Sequence, residues 1–326
     1  AEIIRRHPEY EMDDRLLLDK IDYEKGICTI DGKRYSMREC YFPTIDPADP
    51  YKLSVEESEV IERIAHSFTT SEKLQRHIQC LLDKGSMYLV YNGNLLFHAS
   101  IPMNADGTLK EVYLHDGYYK GRALLDKVDS LIRVACSADS DATLRGFAVD
   151  YLWYLWCGKN APTFDKDRMA TFERYFLKDK AVMKETKGHY YTLRNEDATV
   201  DLLLEEFGVE GDHRHIVNGH IPVKTLKGEN PMKASGRLIV IDGGFSKPYQ
   251  STTGVAGYTL GYHSRGMQLV EHQPFTSTEE AIRGGADIKS TRHLVEKHTE
   301  RIHVGDTDKG RDIRNRIDSL RKLLYA

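Results

Sequence analysis

Apolar positions change their spacing several times along the chain, and each change falls at turn-forming residues. Over residues 8–21, Met12, Leu16, Leu17 and Ile21 stand among acids and bases at a weak helical period. Residues 22–36 alternate instead and contain Asp31-Gly32, a dipeptide suited to the left-handed backbone of a tight hairpin. Pro43, Pro47 and Pro50 then mark a loop. Ser54-Val55-Glu56-Glu57 is a capping box, in which serine and the glutamate three residues on satisfy each other's backbone amides. It predicts a helix to about residue 66, and a second helix is predicted from near Ser71 to just before Gly85. Two apolar runs, 86–91 and 94–99, flank Asn92-Gly93, the sharpest hairpin signature in the chain.

The pattern from 120 to 158 is helical and finishes in an aromatic stretch. Further helices fit 166–178 and 197–207, the latter stopping at Gly208. Short stretches at 215–218, 237–242, 257–262 and 267–270 read as strands. Ser277-Thr278-Glu279-Glu280 caps a short helix, and the tail 307–326 places Ile313, Ile317, Leu320 and Leu324 on one face. Helices and short strands together give an α/β chain.

Its 326 residues suit one large domain or two ordinary ones. A formal charge of −4 gives no electrostatic case for nucleic acid or an anionic membrane. The five cysteines (28, 40, 80, 136 and 157) are scattered and form no Cys-X-X-Cys pair. That argues against a disulfide framework and a thiolate zinc site, and for reduced thiols in a cytoplasmic protein. No apolar run is long enough to span a bilayer. The chain opens on Ala1 and a charged stretch, from which a processed or partial product is expected.

Candidate chemistry centres on Gly219-His220-Ile221-Pro222, which follows the run 215–218. Glycine allows a sharp turn after a strand and proline stiffens the exit, so the imidazole of His220 is expected on a rigid sheet edge. The next run ends similarly, in Asp242-Gly243-Gly244, and strand ends of this kind are where α/β folds place their sites. His98 ends the run Leu95-Leu96-Phe97 and is the second candidate ligand, weighed against an ordinary core histidine. The glycine-rich stretch from Asp242 to Lys247 could present amides and a lysine to phosphate, or simply be a loop. His213-Arg214-His215 has chelating spacing but reads as a solvated loop, and His293, His298 and His303 read as surface residues. Asp306 or Asp308 is expected to cap the last helix. Trp153 and Trp156 read as core or interface packing.

Several long runs resemble class III fructose-1,6-bisphosphatase, a bacterial family (Firmicutes and Bacteroidetes) of the calcineurin-like metallophosphoesterase superfamily. They are Asn218 to Lys224, Gly228-Glu229 and Val240 to Lys247, with Arg6 to Asp14, Asn94 to His98, Trp153 to Lys159 and Thr253 to Leu260. The resemblance implies part of a calcineurin-like β-sandwich flanked by helices. It places the C-terminal part of a metallophosphoesterase domain at 1–275, with a helical insertion at about 116–207, and a helical extension at 276–326. It implies two divalent ions, generally Mn²⁺, with His98 and His220 matching two ligands of one of them.

The family's Asp-X-His, Gly-Asp-X-X-Asp-Arg and Gly-Asn-His motifs do not occur here, so catalytic residues are expected N-terminal to this stretch and the chain alone is expected to be inactive. The implied reaction is hydrolysis of the 1-phosphate of fructose 1,6-bisphosphate to fructose 6-phosphate in gluconeogenesis. AMP and phosphoenolpyruvate are the implied effectors, and a homo-oligomer is compatible with the tail. Lys224 and Lys247 are the candidate phosphate contacts, chosen for charge and nearness along the chain to His220. Two rival readings are another phosphoesterase of the superfamily and a non-catalytic oligomerisation or regulatory module derived from one.

Overall fold

A computed structural model describes residues 1–275, 277–284 and 290–325. They form a mixed α/β protein with several small sheets, divided into two compact units. One comprises Ala1–Met87 and Leu109–Gly188, the other Tyr88–Thr108 and His189–Ala326.

The first unit is built around two helices, Gly121–Cys136 and Ala142–Cys157, within the stretch expected to be helical. Leu124, Val128, Leu131 and Ala135 recur every three or four residues, so they form one stripe, buried against Phe147, Ala148, Tyr151 and Tyr154. Tyr10 joins this core with its ring 4.4 Å from that of Tyr154. The helix predicted over 8–21 is replaced by three short 3₁₀ turns, Pro8–Tyr10, Asp13–Arg15 and Leu18–Lys20. The reason is visible in the packing. Tyr10 and Met12 enter the helical core, whereas Leu17 enters a second cluster with Cys28 and Leu177, so the apolar residues serve two cores.

The predicted hairpin forms from Ile27–Ile30 and Lys33–Ser36, turning at Asp31 and Gly32 with φ of 50° and 74°. Ser54 caps helix Val55–Thr69 as a full capping box, and Ser71 caps Glu72–Lys84. The helix expected over 166–178 is only Thr171–Phe176, because Asp165 is left-handed and Lys166 bridges to Lys187. Among the described residues, no helix is long and apolar enough to cross a membrane.

The second unit carries a five-stranded sheet in the order Tyr88–Tyr91, Asn94–Phe97, His215–Asn218, Leu238–Val240, Met232–Lys233. The hairpin at Asn92-Gly93 forms as expected. Asn94–Phe97 and Leu238–Val240 both run parallel to the central strand His215–Asn218. Every residue of the central strand and of Leu238–Val240 is buried, which accounts for the uninterrupted apolar run of the latter, whereas the central strand also buries the polar His215 and Asn218 at its ends. Helix Asp197–Glu206 packs beside the central strand and buries Val200, Leu203 and Leu204.

A separate antiparallel sheet joins Gly257–His263, Gly266–His272 and Ser290–Lys297. The last of these strands has no counterpart in the sequence reading. It is an edge strand rich in charged residues, and its partner rather than its own pattern makes it extended. Segment 276–326, expected to be helical, thus supplies a strand as well as helices Thr278–Gly284 and Asp308–Leu324. The expected boundary at residue 276 lies outside the described residues. The final helix is capped by Thr307, whose hydroxyl accepts from the Gly310 amide, and not by Asp306 or Asp308. Asp308 instead exchanges hydrogen bonds with Asn92 at the hairpin turn.

Candidate metal centre

Parallel pairing brings the C-terminal ends of three strands to one edge of the five-stranded sheet. Leu96 stands opposite Val217, and Val240 opposite Asn218. The residues just beyond these pairs are His98, Gly219-His220 and Ile241-Asp242. Backbone hydrogen bonds hold the exits together: Gly219 N–H donates to the His98 carbonyl at 2.9 Å, and Val223 N–H to that of Asp242 at 2.8 Å. Two histidines 122 positions apart by their numbers, which the sequence could only name, are therefore neighbours.

The His98 and His220 rings have centroids 5.1 Å apart and an interplanar angle of 66°. His98 is exposed and His220 half-buried. Protein packed around the inner side of His98 lowers its pKa from the ordinary histidine value, and the negative charge of Asp242 pulls it back in part. Neutral imidazole is the form that binds a cation, so the lowered value favours ligation near neutral pH. In the sequence Asp242 is only a polar strand end. Here its Oδ1 accepts from the Gly244 amide at 2.9 Å, which fixes the carboxylate beside the histidines.

The sharp turn expected at Gly219 occurs one residue later. His220 itself is left-handed, with φ of 66°, whereas Gly219 carries no positive φ. Such backbone in a residue with a side chain costs about 1–2 kcal/mol and is found where neighbouring structure enforces it. Underneath, buried Asn218 donates through Nδ2 to the Ala99 carbonyl at 3.0 Å and the Tyr190 hydroxyl at 2.8 Å. This side chain ties the strand that leads to His220 to the strand exit that carries His98.

Lys224 and Lys247 lie in the chain segments leaving this edge. Lys224 is half-buried, and its backbone amide donates to Glu229 Oε2 at 2.9 Å. Lys247 is exposed and opens a short helix, Lys247–Thr253, where the sequence leads to the expectation of a glycine-rich loop followed by strand. The glycines there meet a real constraint. A Cβ on Gly243 would lie 2.6 Å from Gly257 Cα, and Gly244 has φ of 68°.

Two other histidines lie elsewhere than expected. His215 is not in a solvated loop but begins the central strand, buried, and only His213 is exposed. His298, expected at the surface, is 5% exposed. His298 is drawn inward by strand Ser290–Lys297, which it directly follows. Trp153 is partly buried against the helical core, and Trp156 is exposed.

Fold and edge together define an α/β protein that gathers imidazole and carboxylate groups where parallel strands end. The model of the Firmicute fructose-1,6-bisphosphatase family matches residues 1–326, and the chain belongs to that family. It is 61% identical to the class 3 fructose-1,6-bisphosphatase of Phocaeicola vulgatus over 327 residues, covering 100% of this chain and 49% of that protein. The class 3 enzymes of Bacteroides fragilis and Clostridium novyi are 58% and 50% identical, each again across 100% of this chain and 49% of the relative. The chain thus spans about half the length of the curated relatives it matches. No solved structure matches it.

Proposed function

We propose that the protein containing this chain is a metal-dependent phosphatase that converts fructose 1,6-bisphosphate to fructose 6-phosphate by releasing the 1-phosphate, a step of gluconeogenesis. The observation that carries the proposal is the meeting of His98 and His220, 5.1 Å apart, at the end of parallel strands. Family membership over the whole chain supports the substrate. On this reading the five-stranded sheet belongs to a calcineurin-like β-sandwich. The remaining metal ligands and the catalytic acid then stand in the part of the relatives that this chain does not cover.

The donors fit a divalent cation such as Mn²⁺: two adjacent imidazoles, one biased towards its neutral form, with a fixed carboxylate beside them. When bound, the metal supplies Lewis-acid stabilisation of charge developing on the phosphoryl group. This chain's residues do the rest of what can be assigned. His98 and His220 hold the cation, Asn218 keeps their two strands in register, and Lys224 and Lys247 attract the substrate phosphates.

The test is Mn²⁺-dependent phosphate release from fructose 1,6-bisphosphate by the protein at its native length. His98→Ala and His220→Ala are each expected to lower kcat/KM by at least about a hundredfold. Electron paramagnetic resonance should show weakened Mn²⁺ binding in both. Full activity in His220→Ala would remove the basis of the assignment.

A further inference from the structure

At the opposite end of the central strand lies a second cluster of donors that the proposed reaction does not use. We propose that His213, Glu296 and His298 form a site for a single divalent cation of the zinc type. Three pieces of chain meet there: the loop entering the central strand, the edge strand Ser290–Lys297, and the residue just past it. One ligand atom from each residue lies within 4.8 Å of the others. The His213 and His298 rings approach to 4.3 Å between centroids at 79°, and His213 Nδ1 is hydrogen-bonded to Glu296 Oε1.

The decisive feature is His298. It is 5% exposed, yet neither ring nitrogen has a hydrogen-bond partner, and Glu296 Oε2 stands 3.9 Å from Nε2. Folded proteins rarely leave buried polar nitrogens in that condition, because each has given up water for nothing. The ordinary alternative is an ion pair between His213 and Glu296. That pair explains those two residues and leaves His298 unexplained. A cation accepting one lone pair from each imidazole and one from the carboxylate accounts for all three.

Two nitrogens and one oxygen suit Zn²⁺, which takes imidazole and carboxylate together, and suit Mg²⁺ or Ca²⁺ poorly, since those prefer all-oxygen shells. Buried His215 stands nearby, with Nε2 3.8 Å from Glu296 Oε2. A cavity of about 360 Å³, lined in part by Asn92, His213, Tyr262 and Asp308, provides an entry path on the His213 side. A cation here would clasp the entrance of the central strand to the last strand of the three-stranded sheet, segments 83 residues apart at His213 and Glu296. Its binding energy would then be folding energy for this unit.

The experiment is Zn²⁺ and Co²⁺ titration of the chelator-stripped protein at native length, with Co²⁺ absorption reporting coordination and thermal unfolding reporting stability. One equivalent should persist in His220→Ala and be lost, or bind at least about tenfold more weakly, in His213→Ala and Glu296→Gln. Saturating Zn²⁺ should raise Tm by roughly 5 °C, a gain that His213→Ala abolishes. His213 is exposed, so its replacement preserves the fold, as circular dichroism would verify. The proposal is overturned if folded His213→Ala and Glu296→Gln bind as many equivalents as tightly as the parent protein, or if His220→Ala binds none. Failure of His220→Ala to affect Mn²⁺ binding or activity would bear on the phosphatase assignment alone.

Discussion

Asn218 is the residue whose replacement tests the architecture of the candidate centre most directly. Its side chain is buried, and Nδ2 supplies both the 3.0 Å bond to the Ala99 carbonyl and the 2.8 Å bond to the Tyr190 hydroxyl. Asn218→Ala removes two hydrogen bonds, each contributing about 1 kcal/mol net. It also opens a small void, adding about another 1 kcal/mol. The expected loss is about 3 kcal/mol.

Tyr190→Phe keeps the ring against Phe97, 5.8 Å between centroids, and removes only one of the bonds. It should cost about 1 kcal/mol. Because the two residues share that bond, the double variant should be less destabilised than the sum of the singles, by about 1 kcal/mol. Urea titration followed by far-UV circular dichroism measures all four proteins. With m of about 2–3 kcal/mol/M, the Asn218→Ala midpoint should fall by about 1 M. Mn²⁺ binding should weaken as well, since the tie between the two histidine-bearing exits is lost. A midpoint shift under about 0.2 M, or strict additivity in the cycle, would refute the reasoning.

Gly243→Ala should destabilise by about 2 kcal/mol or more, because the added Cβ would lie 2.6 Å from Gly257 Cα and backbone cannot swing aside as a side chain can. A melting temperature equal to that of the parent would contradict this. In the first unit, burial alone would raise the Asp150 pKa, but hydrogen bonds and charge from Arg6 and His7 outweigh it and hold the carboxyl below the ordinary aspartate value. A depressed carboxyl contributes stability that is present above the unfolded-state pKa of about 3.9 and is lost as pH falls through the lower folded value. Asp150→Asn should therefore cost about 1 kcal/mol at pH 7, the half-exposed Arg6 limiting the effect, and the deficit should vanish at the acid end of the titration. A deficit that is constant with pH would show that packing, not charge, sets the contribution of Asp150.

Local structure followed the sequence at several places that a few adjacent residues decide. The capping box at Ser54 and the turns at Asp31-Gly32 and Asn92-Gly93 form where the residue types require, because hydrogen bonds to neighbouring amides and tolerance of positive φ are short-range properties. The buried strand at 238–240 was legible for a related reason, since a strand covered on both faces carries a continuous apolar run, and that at 215–218 was marked by Ile216-Val217 and the glycine that follows Asn218. The same sequence singled out His98 and His220 as strand-end histidines, and long shared runs pointed to the family that the whole-chain match shows.

Tertiary structure decided what depends on distant partners. Residues 8–21 form 3₁₀ turns because their apolar side chains divide between two cores, a division that no local period encodes. Strand Ser290–Lys297 is extended because Gly266–His272 pairs with it, and that pairing carries Glu296 and His298 to His213. His220 adopts the left-handed turn expected of Gly219, held between the exits of two neighbouring strands. Residue types and local turns are properties of short stretches of chain. Which histidines become neighbours is set by strand order and register, which only the packed sheet determines.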